Sequence, residues 1–242
     1  MSPARPPEGT NSLSEGEGHR PQAAPVNIML ASLGQGLAHP VQGTQQAFRT
    51  LLSAMATPGR IMSLRGVAQE GVQPPATQHP EHPFGLAMTV ALLTLLDPEA
   101  PLHLHSPLHS AAAAAYFRFH CGAAMADAGT APIVAARAAD LHAGLWAALA
   151  QGSDEAPQLG ATLLIEVAGL DEQQPLSGAA LLQLRGPGIQ SVHSLAVQGL
   201  APDFWRWRQS QQRLLPRGID LVLCCGPRLA AIPRSTHLSL EA

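Results

Sequence analysis

Apolar residues recur at helical spacing over residues 42–56. These apolar residues stand at positions 48, 51, 52 and 55, which is the i, i+3, i+4, i+7 spacing of one helix face. The pattern predicts a helix with Phe48 in the core, so Phe48→Ala is expected to cost about 3–5 kcal/mol. Arg49 lies outside that apolar helix face. Pro58 and Gly59 end the helix, because proline restricts the residue before it and Pro-Gly suits a type II turn.

Helical and strand-like patterns alternate along the rest of the chain. Continuous apolar runs predict strands that are covered on both faces, and residues 84–96, apolar almost all round, predict a buried helix. Strands are predicted at 60–64, 102–105, 132–136, 161–167, 180–184, 219–224 and 229–232, and further helices at 107–119, 139–150 and 202–214. This alternation favours a three-layer α/β fold, with a mixed central sheet flanked by helices.

The N-terminal segment differs in composition from the remainder. Pro, Gly, Ser, Glu and Gln dominate residues 1–36, and apolar residues are few before position 26. Such a segment cannot bury enough apolar surface to offset the entropy of ordering it. We therefore predict a disordered tail over residues 1–36 and a single α/β domain over residues 37–242.

The chain contains no lysine, and all 14 basic residues are arginine. Because lysine binds phosphate in P-loops and forms Schiff bases, its absence excludes a Walker A motif and covalently held pyridoxal phosphate (PLP). A net charge of −3 gives no electrostatic reason to expect nucleic acid. Charged residues make up 13%, against about 25% in typical domains. Two explanations stay open: partner chains cover the surface, or the chain is simply rich in alanine.

Cysteine usage and the lack of export signals predict a cytoplasmic protein. Cys121, Cys224 and Cys225 are too few and too badly placed for a disulfide framework. The polar, proline-rich N-terminus has no apolar signal-peptide core. The longest apolar stretch, residues 84–96, is too short to span a bilayer.

Five Arg and His residues are candidates for a substrate- or partner-binding surface: Arg49, Arg118, His120, Arg234 and His237. Arg118 and His120 end a predicted helix, where the macrodipole alone favours positive charge, and an anion-binding or docking pair is the alternative. The Pro-Arg-Ser-Thr-His segment 233–237 either holds phosphate or phosphonate oxygens or is an ordinary polar flank of a strand. No residue is predicted to be catalytic.

Two further motifs favour structural explanations. His103, His105 and His109 invite a metal site, but no carboxylate or cysteine lies close in sequence, so a polar strand end is preferred and no metal is predicted. The Gly-Pro-Gly segment 186–188 is similar to a phosphate-binding loop. Its proline lacks the backbone N–H that phosphate needs, so a turn between two strands is preferred.

Eight stretches occur in an order and spacing that resemble one known family. They are His-Pro-Val-Gln at 39–42, Gln-Ala-Phe-Arg-Thr-Leu-Leu-Ser-Ala-Met at 46–55, Pro-Gly at 58–59, Arg-Phe-His at 118–120, Leu-Gly-Ala-Thr-Leu-Leu-Ile at 159–165, Leu-Arg-Gly-Pro-Gly-Ile at 184–189, Pro-Arg-Gly-Ile-Asp-Leu-Val-Leu at 216–223 and Leu-Ala-Ala-Ile-Pro-Arg-Ser-Thr-His at 229–237. Together they resemble PhnH, a subunit family of the bacterial carbon–phosphorus lyase core complex. The resemblance runs from about residue 37 to the C-terminus.

The resemblance implies a fold similar to the large domain of PLP-dependent transferases, without the cofactor site. It also implies a homodimer and a larger assembly with the G, I and J subunits. That machinery transfers ribose triphosphate from ATP to an alkylphosphonate and later breaks the carbon–phosphorus bond. The nucleophilic chemistry, and the radical chemistry that uses an iron–sulfur cluster and S-adenosylmethionine (SAM), are attributed to the other subunits, so no cofactor is expected in this one.

Three hypotheses about function follow. The first is a non-autonomous subunit in phosphonate catabolism, supporting the ribose triphosphate transfer. The second is a stand-alone small-molecule enzyme, which requires Arg118, His120 and Arg234 to converge in one anion-binding cleft. The third is a protein that binds PLP without a covalent bond.

Overall fold

The structure is a computed structural model, which describes residues 1, 33–68, 71–77, 81, 83–174 and 176–240. The helices are α1 (Pro40–Ala56), α2 (Arg65–Ala68), α3 (Leu86–Leu95), α4 (Ala111–Cys121), α5 (Ala143–Ala148) and α6 (Pro202–Gln211), with 3-10 turns at Ala138–Asp140, Pro157–Leu159 and Gln212–Leu214. The strands are β1 (Met62–Ser63), β2 (Leu102–Leu104), β3 (Ile133–Arg137), β4 (Thr162–Glu166), β5 (Gly169–Asp171), β6 (Ala179–Arg185), β7 (His193–Gln198), β8 (Asp220–Cys225), β9 (Arg228–Ile232) and β10 (His237–Leu240).

A six-stranded mixed sheet forms the centre of the domain, in the order β1-β9-β8-β4-β3-β2. Strands β2, β3, β4 and β8 are parallel, β9 runs antiparallel to β8, and β1 runs antiparallel to β9. The mixed α/β architecture predicted from the sequence is confirmed.

Each face of this sheet belongs to a different apolar core, because successive side chains of a strand point to opposite faces. In β4, Leu164 packs with α1, α3 and α4, whereas Leu163 and Ile165 pack with α5, α6 and a second sheet. The strands of the central sheet are thus covered on both faces, which explains their continuous apolar runs.

The second sheet is antiparallel and four-stranded, in the order β10-β6-β7-β5. Only β6 was among the predicted strands, and the prediction of a single central sheet missed this layer. Strand β5 has three residues, β7 has three apolar residues between polar ends, and β10 alternates polar with apolar residues. Such short or half-polar strands have a weak sequence pattern, and they are stable only when they pair with a partner strand.

Helix α3 is buried on nearly all sides, as its apolar sequence predicts. Residues 87–93 are all inaccessible or nearly so, including the polar Thr89. Thr89 satisfies its hydroxyl within the helix by donating to the carbonyl oxygen of Gly85 at 2.9 Å. A helix between the central sheet and two other helices has no solvent face, so it has no polar stripe.

Helix α1 presents a different face to the core from the one predicted. Gly43, Ala47, Leu51 and Ala54 are buried, whereas the side chain of Phe48 is 50% exposed. Small residues let the helix lie close to its neighbours, and this close fit outweighs burial of the larger ring. The predicted core position of Phe48 is therefore wrong, and the large cost predicted for Phe48→Ala loses its structural basis.

Most of the predicted tail, residues 1–36, lies outside the described residues. Residues 33–36 are described, and Gln35 is hydrogen bonded to the loop after α2. Its N–H donates to Gln73 Oε1 at 3.1 Å, and its carbonyl oxygen accepts from Gln73 N at 2.8 Å. Over the described part of the chain, no helix combines the length and apolar character needed to cross a membrane.

Candidate functional site

Three of the five candidate residues lie on α1 and α4. Arg49 is exposed on α1, and Arg118 is exposed near the C-terminal end of α4. His120 is half-buried: its Nε2–H donates to the carbonyl oxygen of Gly34 at 3.2 Å, and its ring lies 4.4 Å from that of Tyr116. His120 therefore anchors the start of the described chain onto α4.

Arg234 ties three segments together. Its Nη2 donates to Asp220 Oδ2 at 2.6 Å, its Nε contacts both oxygens of that carboxylate at 3.2 Å, and its Nη1 donates to the carbonyl oxygen of Pro157. The Arg234 backbone N–H also donates to Asp220 Oδ1, at 2.7 Å. Both side chains are largely buried, so this guanidinium is committed to holding β8, the end of β9 and the Pro157–Leu159 turn.

The candidates contact different partners. His237 begins β10 and donates from Nδ1 to Gln212 Oε1 at 3.3 Å. The residues hydrogen bonded to Arg234 and those in contact with His120 have no member in common. The geometry thus gives no support to an anion pocket shared by Arg118, His120 and Arg234.

A buried arginine beside Arg234 was not expected from the sequence. Arg208 of α6 is fully buried, and its Nη2 donates to the carbonyl oxygen of Pro233 at 2.8 Å. Burial is the main cause that lowers the pKa of Arg208 to about 10, against the opposing effect of Asp220. The residue follows Trp207 and precedes polar residues of α6, and nothing in that local pattern distinguishes it from a surface arginine.

The carboxyl edge of the parallel strands gathers titratable groups. Open α/β sheets bind ligands at this edge. His105 follows β2 and donates from Nε2 to the carbonyl oxygen of Asp140 at 3.2 Å. Arg137 ends β3, with its Nη1 3.4 Å from Asp140 Oδ2. Burial chiefly lowers the pKa of His105, and nearby His142 and His103 act in the same direction.

Glu166, which ends β4, is the most perturbed carboxyl at this edge. Burial raises its pKa to about 7, against the opposing effect of hydrogen bonds from backbone N–H groups of Gly226 and Gly85. Gly85 precedes the first residue of α3, and a Cβ there would collide with the Glu166 carboxylate. A carboxyl that titrates near neutral pH at a sheet edge is typical of functional sites, although structural networks produce it too. The sequence offered no motif that could have identified Glu166.

His103 of β2 and His105 just after it have structural partners. His103 donates from Nδ1 to the carbonyl oxygen of Ala126 at 3.0 Å, and its ring centroid lies 6.2 Å from that of His105. His109 and His103 line a pocket of about 330 Å³. Among the described residues, no group of three or more His, Cys, Asp or Glu side chains is arranged to hold a metal ion.

The outward side of α1 is apolar. Val41, Phe48 and Leu52 are exposed and recur at helical spacing; we call these three residues the α1 outer face. An open groove of about 500 Å³ runs beside them, lined by Pro40, Val41, Thr44, Gln45 and Phe48. Arg49 is the one charged residue in the sequence of this 17-residue helix. Exposed apolar surfaces with little charge mark interaction sites.

Residues 35–239 match the family model described as bacterial phosphonate metabolism protein (PhnH). The chain belongs to the PhnH family. The PhnH match begins just before α1 and ends within β10, so it includes the α1 outer face, Glu166 and all five candidate residues. The family resemblance seen in the sequence is confirmed.

Two PhnH relatives match most of the chain. The subunit PhnH of alpha-D-ribose 1-methylphosphonate 5-triphosphate synthase from Rhizobium meliloti (strain 1021) is 34% identical over 204 residues, covering 84% of this chain and 94% of the relative. HtxG of Stutzerimonas stutzeri, whose name describes a C-P lyase subunit protein, is 31% identical over 197 residues, covering 81% of this chain and 86% of the relative.

Proposed function

We propose that this chain is a non-autonomous subunit of the carbon–phosphorus lyase machinery and takes part in the catabolism of organic phosphonates. Both relatives are named as subunits, and each match covers more than four fifths of this chain. In this role the chain supports the transfer of ribose triphosphate from ATP to an alkylphosphonate. The reacting groups, ATP and the iron–sulfur and SAM chemistry belong to the partner subunits.

The α1 outer face is the observation that carries this proposal. A half-exposed phenylalanine and a more exposed leucine border an apolar groove on a helix with one charge. The central parts of protein interfaces are depleted in charged residues and enriched in aromatic ones. We propose that the occupant is one of the G, I and J subunits, which covers Phe48 and Leu52 in the assembly.

Co-expression with the G, I and J subunits tests this role. The wild-type chain is expected to co-elute with them, and the double variant Phe48→Ser, Leu52→Ser is expected to elute alone. Leu159→Ser is the matched control, because Leu159 is 63% exposed and Leu52 is 57% exposed, but Leu159 lies outside α1. Circular dichroism checks that each variant is folded.

The possible outcomes distinguish the subunit role from the use of the α1 outer face as the docking surface. Elution of the wild-type chain only as free protein, when all three partners are present, contradicts the subunit role. Co-elution of the double variant at wild-type level assigns docking to another surface. Equal loss in the Leu159→Ser control means that the effect is not specific to α1.

We also propose that the chain forms a homodimer when its partners are absent. Leaving the α1 outer face in water costs free energy that self-association recovers, provided that each copy buries about 800 Å². Light scattering at micromolar concentration is expected to give twice the chain mass. A monomer mass contradicts the homodimer.

We also propose that the fold of the domain is similar to that of the large domain of PLP-dependent transferases, without the cofactor site. The parallel strands β2, β3, β4 and β8 with helices on both faces support it, as does the absence of lysine. Purified protein is expected to be colourless, with no thermal shift on adding PLP. A yellow complex would contradict the loss of the site.

A further inference from the structure

Two Pro-Gly turns that are distant in sequence pack against each other. One joins α1 to β1 and contains Gly59; the other is the loop of residues 186–192 between β6 and β7 and contains Gly188. Both glycines have φ of +82°, which side chains disfavour. A Cβ on Gly188 would collide with the carbonyl oxygen of Ala56, and one on Gly59 would lie 2.7 Å from His193 Cδ2. This close packing holds the two turns in a defined relative position.

A pocket of about 170 Å³ opens between the turns, lined by Pro58, Arg60, Gly188, Ile189, Gln190, Ser191, Val192 and His193. Its polar side chains are a guanidinium, an imidazole, a hydroxyl and an amide, all of which donate hydrogen bonds. No carboxylate is among these lining residues. The pocket is small and rich in donors, and it therefore suits a compact anion better than an apolar ligand.

Glu172 lies within 4 Å of the two nitrogen-rich side chains of the pocket. Its Oε1 accepts from the backbone N–H of Ile61 at 2.6 Å, which fixes the carboxylate. Its Oε2 lies 3.5 Å from His193 Nε2 and 3.9 Å from Arg60 Nη1. His193 is largely buried, whereas Arg60 is 63% exposed, so Arg60 stands at the solvent side of the pocket.

We propose that this pocket binds a small tetrahedral oxyanion, of the kind that a phosphate or phosphonate group presents. Arginine supplies a rigid fork of donors that matches such oxygens, and charge-assisted hydrogen bonds of this type are the strong ones. Ser191 and Gln190 add neutral donors. The site is a property of the chain alone, and it does not depend on the subunit role proposed above.

Isothermal titration calorimetry on the full chain tests the site, with inorganic phosphate, methylphosphonate and acetate as probes. Saturable binding of phosphate, methylphosphonate or both is expected, with weaker binding of planar acetate. Arg60→Ala is expected to weaken binding by about tenfold or more, the loss of one charge-assisted hydrogen bond. Arg65→Ala is the matched control: it removes an exposed guanidinium five residues away, outside the pocket lining.

Ser191→Ala separates a formed site from general attraction to positive charge, because it removes a donor and leaves the charge unchanged. A several-fold loss of affinity is expected. Binding of phosphate alone identifies the free ion as ligand, and binding of methylphosphonate identifies a site that accepts an organic fourth substituent. The proposal is overturned if no probe saturates, if acetate binds as tightly as phosphate, or if Arg65→Ala loses as much affinity as Arg60→Ala.

Discussion

Replacing Glu166 with glutamine is expected to change how stability depends on pH. Burial raises the pKa of Glu166 from 4.5 to about 7 in the folded protein. The folded state therefore binds this proton more tightly than the unfolded state does. The stabilisation is fully present below about pH 4.5, falls as the pH rises towards 7, and is absent above it.

The size of the effect follows from the two pKa values. They differ by about 2.5, from 4.5 to about 7, and one pKa unit corresponds to about 1.4 kcal/mol, so ionising Glu166 costs the folded state about 3 kcal/mol. Glutamine carries no charge at any of these pH values, yet its amide oxygen still accepts a hydrogen bond from Gly85 or Gly226. Glu166→Gln is thus expected to be more stable than the wild type at alkaline pH.

Urea unfolding, followed by circular dichroism between about pH 5 and about pH 8, measures this difference. The advantage of Glu166→Gln is expected to grow across the range and to reach about 3 kcal/mol at the upper end. Glu99→Gln is the control, because Glu99 is an exposed glutamate on a loop, and its profile should parallel that of the wild type. Parallel profiles for Glu166→Gln and the wild type would refute the reasoning, because Glu166 would then titrate alike in both states.

Two further predictions concern stability at neutral pH, both measured by urea unfolding. Phe48→Ala should cost the dilute monomer under about 1 kcal/mol because the ring is half exposed, whereas Leu51→Ala should cost about 2–5 kcal/mol because it leaves a cavity. A loss of about 3–5 kcal/mol for Phe48→Ala in the monomer would restore the predicted core position of Phe48. Arg234→Ala should cost about 3–5 kcal/mol, because it leaves the Asp220 carboxylate buried without its cation. A loss under about 1 kcal/mol would mean that the pair is solvated.

The sequence alone determined those helices and strands whose hydrophobic pattern fits only one kind of environment. The apolar run of α3 can only be buried, and the runs that became β3, β4 and β8 can only lie inside a sheet that is covered on both faces. The absence of lysine excluded covalent PLP whatever the fold. The ordered set of short motifs also identified the PhnH family before any contact was known.

Only the tertiary structure decided which side of α1 is buried. The helix has apolar residues on two sides, Ala47 and Ala54 on one and Phe48 and Leu52 on the other, so its periodicity fits either orientation. The side with the small residues Ala47 and Ala54 packs closely against the core, and Phe48 and Leu52 are exposed.

Long-range contacts also decided the chemistry of single polar residues. Burial raises the pKa of Glu166, and the residue before α3 packs against its carboxylate. The pocket beside Arg60 depends on a loop more than a hundred residues away. Burial and charge at a site depend on neighbours brought together by folding, and a local sequence pattern contains no record of those neighbours.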